Sequence, residues 1–243
     1  MRDVGPERKN GRASLYATVT ADLVESRRLG NRADVQDKLG RLVRSLNARF
    51  KRSLAAPFMV TLGDEIQGLL HDLEQAPRVV SSIHAVFHPS EISVGIGIGQ
   101  IATKLSQRVT EMDGPAFVNA RGAIGAAKKE RLEVVVRTSD GFADGVLNAV
   151  YLLLGGVEAG WTKPQWERFN LYKELGKVEK VAARLGISKQ SVSKSLRNTL
   201  WSRVLTVESH LPEIFASLGE SLGKGPAAES RGAAGARPKL SPL

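Results

Sequence analysis

Two adjacent carboxylates interrupt an otherwise apolar stretch of the chain, Val60 to Leu70 (VTLGDEIQGLL). The stretch predicts a β-hairpin, in which two apolar strands are joined at Gly63, Asp64 and Glu65. A turn needs only glycine and one polar residue, and unpaired buried charge is costly. The two carboxylates therefore belong either to a solvated turn or to a cation site.

A third carboxylate favours the cation site. Asp22 follows an earlier apolar strand, Leu15 to Val19. If this strand lies beside the hairpin in one sheet, Asp22 meets Asp64 and Glu65 at neighbouring strand ends. Hard oxygen ligands of this kind suit Mg²⁺, with substrate phosphates completing the coordination shell. The sequence thus predicts a Mg²⁺ site formed by these three residues.

Composition limits the class of protein. The 243 residues, 42% of them hydrophobic, allow one large or two small domains with a buried core. The chain has no cysteine, which excludes disulfides, thiolate zinc sites and a cysteine nucleophile. No apolar run is long enough to span a bilayer and no signal-like segment opens the chain, so we expect a cytoplasmic protein without membrane contact.

The net charge of +10 is unevenly distributed. Residues 56–160 carry 8 basic and 12 acidic side chains, whereas residues 161–204 carry 10 and 3. An acidic middle segment fits a metal or nucleotide site. A basic segment near the C-terminus fits a nucleic-acid backbone.

Hydrophobic periodicity places further elements around the hairpin. It predicts helices over 34–54, 76–87, 111–129 and 142–154, and strands over 91–101 and 132–138. The resulting order, βαββαβαβ, predicts an α/β (α+β) domain of palm or ferredoxin-like type, with a mixed sheet and helices on one side.

The strand over 91–101 (EISVGIGIGQI) has an unusual pattern. Gly95, Gly97 and Gly99 alternate with isoleucine, a spacing that does not match a dinucleotide-binding loop. Glycine at every second position leaves one face of the strand bare. We expect a helix or a ligand to approach that face closely.

Gly155-Gly156 is the predicted boundary between two domains. We expect a disordered leader at residues 1–13, a palm-like domain at 14–156, a helical domain at 157–218 and a disordered tail at 219–243, which is rich in Gly, Ala, Pro and Ser.

The most specific motif lies within residues 161–204. The text VAARLGISKQSVSKSLR predicts a short helix, a tight turn and a helix capped by Ser188. Ala182, Gly186 and Val192 have the spacing of a helix-turn-helix, in which a small residue allows close crossing, glycine adopts a positive φ and a β-branched residue locks the second helix. The alternative is an ordinary helical hairpin, but the basic charge favours binding of double-stranded DNA.

The outward side of the second helix of this motif supplies the candidate DNA contacts. Those suited to base edges in the major groove are Gln190, Ser191 and Lys194. Those suited to phosphates are Ser188, Lys189 and Arg197.

Apolar residues beyond this helix recur at steps of four and three, as in a heptad seam: Leu200, Val204, Val207, Leu211, Ile214 and Leu218. Pro212 lies within the seam and should kink or end the helix. The seam therefore forms either a short dimer contact or a surface that packs onto the first domain. We expect a homodimer.

Several motifs together resemble the SatD family. They are a strand ending at Asp22 with Ser26-Arg27 after it, LGDEIQGLL, VGIGIGQI and MDGPAFVNAR, and the resemblance covers most of residues 15 to 205. Members of that family pair such a domain with a helix-turn-helix. More distantly, the first domain resembles the palm-type catalytic domains of diguanylate (GGDEF) and class III nucleotide cyclases.

The cyclase resemblance implies that Asp22, Asp64 and Glu65 hold metal ions around a nucleotide. Here Leu62-Gly63 stands where the cyclases have two glycines, and Glu25-Ser26-Arg27-Arg28 replaces their lysine-asparagine-aspartate pattern. Candidate residues for binding a nucleotide or other phosphorylated ligand are Arg27, Arg28 and Arg121.

Two functional hypotheses follow. The first is a DNA-binding regulatory protein whose palm-like domain is a sensor or scaffold. The alternative is a Mg²⁺-dependent nucleotide-binding or nucleotide-processing enzyme that its basic helices recruit to nucleic acid, so the enzymatic character of the chain is open.

Overall fold

The structure, a computed structural model, describes residues 8–9, 12–23, 32–87 and 92–224. Arg27 and Arg28 lie outside the described residues, as do most of the predicted leader and most of the predicted tail.

The described residues form seven strands, eight α-helices and a short 3-10 helix over Val109–Glu111. The strands are β1 (Arg8–Lys9), β2 (Arg12–Ala13), β3 (Tyr16–Leu23), β4 (Leu54–Val60), β5 (Glu65–Leu70), β6 (Ile92–Gly99) and β7 (Val134–Arg137). The helices are α1 (Arg32–Arg49), α2 (Gln75–Phe87), α3 (Pro115–Glu130), α4 (Gly141–Glu158), α5 (Lys163–Leu175), α6 (Val178–Leu185), α7 (Lys189–Arg197) and α8 (Trp201–Gly223). Strands β1 and β2 pair only with each other.

The other five strands form one mixed sheet, in the order β4-β5-β3-β6-β7. The central strand β3 is antiparallel to both β5 and β6, whereas β6 and β7 are parallel. The four strands from β3 to β6, with helices α1 and α2, have the βαββαβ connectivity of ferredoxin-like folds. The α/β (α+β) class with a mixed sheet is confirmed.

The main hydrophobic core lies between one face of the sheet and helices α1, α2 and α4. Strand β3 contributes Ala17, Val19 and Ala21 to this face because alternate residues of a strand point the same way. Leu46 of α1 and Ile83 of α2 pack against them.

Helix α3 covers the opposite face of the sheet. A side chain at Gly95 or Gly97 would collide with the backbone of α3 near Ile124 or Ala120, and a Cβ at Gly99 would lie 2.7 Å from the backbone nitrogen of Ala116. The predicted bare face therefore exists, and a helix occupies it. The expectation that all helices lie on one side was wrong, because this glycine ladder admits α3 to the second face.

A second hydrophobic core belongs to helices α5, α6, α7 and the first turns of α8. Its members are Trp161, Trp166, Phe169, Val181, Ala182, Val192, Leu196 and Val204. We refer to this part of the chain as the helical unit, and to β3–β7 with α1–α4 as the sheet domain.

Helix α4 continues through Gly155-Gly156, where the sequence predicted a domain boundary. It ends only at Glu158. Two glycines within a helix cost about 1 kcal/mol each relative to alanine. Leu154 and Val157 on either side of the pair pack against the hydrophobic cores, which offsets that cost.

Helix α8 runs unbroken for 23 residues and joins the two cores. Val204 lies in the core of the helical unit, whereas Leu211 and Phe215 lie in the main core. The sequence predicted that Pro212 would kink or end this helix. It does not end the helix, because Pro212 lies inside α8 and is buried. The burial of its neighbours outweighs the missing N–H donor.

The described part of the chain contains no helix with the length and apolar character needed to cross a membrane.

Candidate functional site

Helices α6 and α7 are joined by a three-residue turn. Gly186 ends α6 in the left-handed region with a φ of 64°, and the N–H of Ile187 donates to the carbonyl oxygen of Ala182 at 3.1 Å. Ser188 then caps α7, because its hydroxyl oxygen accepts from the N–H of Ser191 at 3.1 Å. Glycine at this position avoids the steric cost of positive φ.

The inner sides of α6 and α7 share the core of the helical unit. Ala182 and Val192 are both buried there, as the spacing of the motif predicts. Behind α7, Arg168 of α5 donates a hydrogen bond from Nη1 to the hydroxyl of Ser195 at 2.9 Å. Helices α5 and α6 therefore fix the orientation of α7.

The outer side of α7 and its cap is fully polar and exposed. Every residue predicted to contact DNA lies there: Ser188, Lys189, Gln190, Ser191, Lys194 and Arg197. Lys189 forms an ion pair with Glu179 of α6, and both side chains are more than half exposed. The hydrogen bond that Lys189 donates to the Glu179 carboxylate holds the pKa of Glu179 below its usual value. Because exposed ion pairs are weak, Lys189 can exchange this partner for a phosphate.

The acidic hairpin lies at one end of the sheet. Asp22 of β3 is directly opposite Glu65 of β5 in the antiparallel register, so the two side chains share the face covered by α3. The Asp22 carboxylate pairs with Nζ of Lys128 at 2.8 Å, and Glu65 accepts from the hydroxyl of Thr61 at 2.8 Å. One carboxylate oxygen of Asp64 is buried without a hydrogen-bond partner.

The register of β3 and β5 places two of the three predicted metal ligands, Asp22 and Glu65, on adjacent strands. Lys128, which the sequence did not assign to this site, supplies a cationic partner for Asp22. The ligand atoms of Asp22, Asp64 and Glu65 do not all lie within 4.8 Å of one another. A different trio in the described chain meets that distance. Metal binding at the hairpin remains a prediction. Arg121 is exposed on α3.

A cleft of about 1340 Å³ separates the sheet domain from the helical unit. Helices α2, α4, α5 and α8 line it. Lys173 of α5 spans the cleft, donating to the hydroxyl of Ser81 on α2 at 2.6 Å and pairing with Glu208 on α8 at 3.1 Å. Asn170 Nδ2 donates to the carbonyl oxygen of Ala85 at 3.4 Å.

Three potential metal ligands converge in this cleft. They are His84 on α2, Glu133 immediately before β7 and Glu158 at the end of α4, and each has a ligand atom within 4.8 Å of the others. His84 and Glu158 are only 8% and 6% exposed. Burial, followed by the charges of Glu133 and Glu208, raises the pKa of Glu158 to about 8, although Lys173 acts in the opposite direction.

Sequence reasoning did not find this trio. Glu158 lies seven residues after Tyr151 and eleven after Leu147, so all three occupy the buried stripe of α4. Ending that helix at Leu154 concealed the signal. The grouping with His84 and Glu133 depends on how three separate elements pack, which periodicity does not report.

The fold and its sites define a two-part α/β protein in which a ferredoxin-like sheet domain carries a basic, all-helical unit. Residues 16–205 match the SatD family, and the chain belongs to that family. A comparison with curated proteins finds no match.

Among solved structures, the chain is similar to a regulator of polyketide synthase expression from Bifidobacterium adolescentis. The similarity covers 84% of this chain and 87% of that one, with 12% sequence identity and a TM-score of 0.25. Structural similarity at this level does not bear on function.

Proposed function

We propose that the protein is a cytoplasmic DNA-binding regulator in which α6 and α7 form a helix-turn-helix. The observation that carries the proposal is the outer side of α7, where six polar or basic residues are exposed over a buried back. An α-helix of this kind fits the major groove of double-stranded DNA.

The position of each residue on α7 suggests its role. Gln190, Ser191 and Lys194 lie on the first turns, which is the part of a recognition helix that reaches base edges. Ser188 and Lys189 lie at the N-terminal end, where free backbone N–H groups also favour a phosphate. Arg197 lies at the other end, within reach of the opposite backbone.

In this proposal the sheet domain is a sensor or scaffold. Helix α8 supports this role for the sheet domain, because one continuous helix contributes to both hydrophobic cores. A ligand that shifted the sheet domain would therefore shift the helical unit. A nucleotide or other phosphorylated ligand is the candidate effector, with Arg121 as a candidate contact.

A mobility-shift titration tests the DNA proposal. Arg197→Ala should weaken binding to all sequences alike and flatten its salt dependence, whereas Gln190→Ala should cost about 1–3 kcal/mol mainly on a preferred site. Arg44→Ala is the matched control, since Arg44 is an exposed arginine on α1, outside the helical unit. If Arg197→Ala and Gln190→Ala bind DNA as the control does, α7 is not a recognition helix.

We also propose that the protein is a homodimer that pairs through α4. All eight exposed positions of α4 are Gly, Ala, Val, Leu or Phe, and they include Phe142 and Leu153, which are 81% and 72% exposed. Soluble monomers rarely expose an apolar patch of this kind. A two-fold axis through it would match the symmetry of DNA half-sites.

A second candidate function is Mg²⁺-dependent nucleotide chemistry at the acidic hairpin. The register of Asp22 opposite Glu65, with a partnerless buried oxygen on Asp64, favours it. Incubation with nucleoside triphosphates and Mg²⁺ or Mn²⁺ tests it. Turnover that Asp64→Asn abolishes would establish an enzyme, and the absence of any product would leave the hairpin without catalytic function.

A further inference from the structure

The cleft between the sheet domain and the helical unit contains a ligand set that neither the DNA proposal nor the acidic hairpin uses. We propose that His84, Glu133 and Glu158 bind one divalent transition-metal ion of the Zn²⁺ or Mn²⁺ class.

The donor atoms define the class of metal. The trio offers one imidazole nitrogen and two carboxylate oxygens. Imidazole suits Zn²⁺ and other first-row transition metals, whereas Mg²⁺ prefers oxygen ligands only and keeps much of its water shell. Three protein ligands also leave a coordination position open for water or for an acidic small molecule.

Regular elements hold the three ligands in place. His84 and Glu158 lie on the buried stripes of α2 and α4. Glu133 is tied to the sheet because its carbonyl oxygen accepts from the N–H of Val94 at 2.7 Å. Ligands carried on helices and next to a strand are positioned more precisely than ligands on loops.

A second observation in the same cleft concerns a buried hydroxyl group. Tyr151 is 7% exposed, and its hydroxyl is buried with no hydrogen-bond partner. Tyr151 lines the cleft on the same stripe of α4 as Glu158. The side-chain oxygen of Asn170, from α5, is also buried there without a partner. Such groups are costly unless they are hydrogen-bonded, and water molecules on a bound metal would satisfy them.

The local charge favours a cation. Glu208 on α8 also lines the cleft, where Lys173 is its partner. A divalent ion among the ligands would remove the repulsion between Glu133 and Glu158, because buried charges are stable only when paired or bound to metal.

Titration of the metal-free, full-length protein with Zn²⁺, Mn²⁺ and Mg²⁺ tests the proposal, with isothermal calorimetry and thermal melting as readouts. Wild type should bind one transition-metal ion at the cleft, with a raised melting temperature. His84→Ala and Glu158→Gln should each weaken this binding by at least about tenfold. His71→Ala is the matched control, since His71 is an exposed histidine, and it should leave binding unchanged.

Two further variants keep the test decisive. If His84→Ala fails to fold, Glu133→Gln replaces it, because Glu133 is only partly buried. Asp64→Asn must retain transition-metal binding if the acidic hairpin is a separate site. The proposal is overturned if wild type binds neither Zn²⁺ nor Mn²⁺, or if binding is unchanged in the cleft variants.

Discussion

Gly97 leaves no room for a side chain. A Cβ at this position would collide with the backbone of α3 at Ala116 and Ala120, and a backbone cannot rotate away as a side chain can. We expect Gly97→Ala to lower the free energy of unfolding by about 3 kcal/mol, the upper end for overpacking. The midpoint of urea denaturation measures this.

Gly125→Ala is the matched control for Gly97→Ala. Gly125 lies on α3 itself, and no atom approaches within 4 Å of the Cβ that alanine would add. Alanine there should stabilise the protein by up to about 1 kcal/mol, since it is the better helix former. Equal midpoints for the two variants would contradict a close contact between β6 and α3.

Lys128 competes with any cation for Asp22. If Mg²⁺ binds at the hairpin, it must displace the ammonium group that lies 2.8 Å from the Asp22 carboxylate. Wild type should then melt higher in millimolar Mg²⁺, Lys128→Met should respond at lower Mg²⁺ concentrations, and Asp64→Asn should not respond. If the melting temperature of wild type does not change with Mg²⁺, Asp64 and Glu65 belong to an ordinary turn and not to a metal site.

The exposed apolar side of α4 is the proposed contact with a second copy. We expect Leu153→Asp to convert a dimer to a monomer in light scattering, because it would bury a charge in the proposed contact. Val118→Asp is the control, since Val118 is exposed on α3 instead. If Val207→Asp dissociates the dimer and Leu153→Asp does not, the contact lies on the exposed side of α8. If wild type is a monomer, neither helix forms a dimer contact.

Sequence periodicity predicted most elements of this chain because most of them have one buried face. The stripe of Leu39, Leu42 and Leu46 predicted α1. The alternating glycines predicted β6 and its bare face. It failed where local preference and packing disagree. Glycine and proline both disfavour a helix, yet α4 and α8 pass through them since neighbouring side chains enter a core.

Helix α8 couples the sheet domain to the helical unit. We expect Phe215→Ala to cost about 3–5 kcal/mol, because the ring is fully buried in the main core. All three tryptophans, Trp161, Trp166 and Trp201, lie in the helical unit or at its edge. If the two parts unfold together, tryptophan fluorescence will report the lowered midpoint although the substitution lies in the other core.

Ile214→Ala is the control, since Ile214 is the exposed neighbour of Phe215. It should change stability by less than about 1 kcal/mol. An unchanged tryptophan transition in Phe215→Ala, together with two steps in circular dichroism, would mean that the two parts unfold independently.

The arrangement of the whole molecule was less predictable than its parts. The sequence placed Asp22 and Glu65 at neighbouring strand ends, and the register agrees. It did not reveal Lys128, or the meeting of His84, Glu133 and Glu158, since both depend on contacts between elements far apart in the chain. Such contacts follow from docking geometry, which leaves no periodic trace.

The shared helix also sets an order of events during synthesis. The core of the sheet domain is completed by Leu211 and Phe215, which leave the ribosome after the whole helical unit. While the chain is growing, the apolar surface of α2 that these residues cover remains open to water. The sheet domain can therefore close its core only after the helical unit has emerged, so the first domain to be made is the last to be finished.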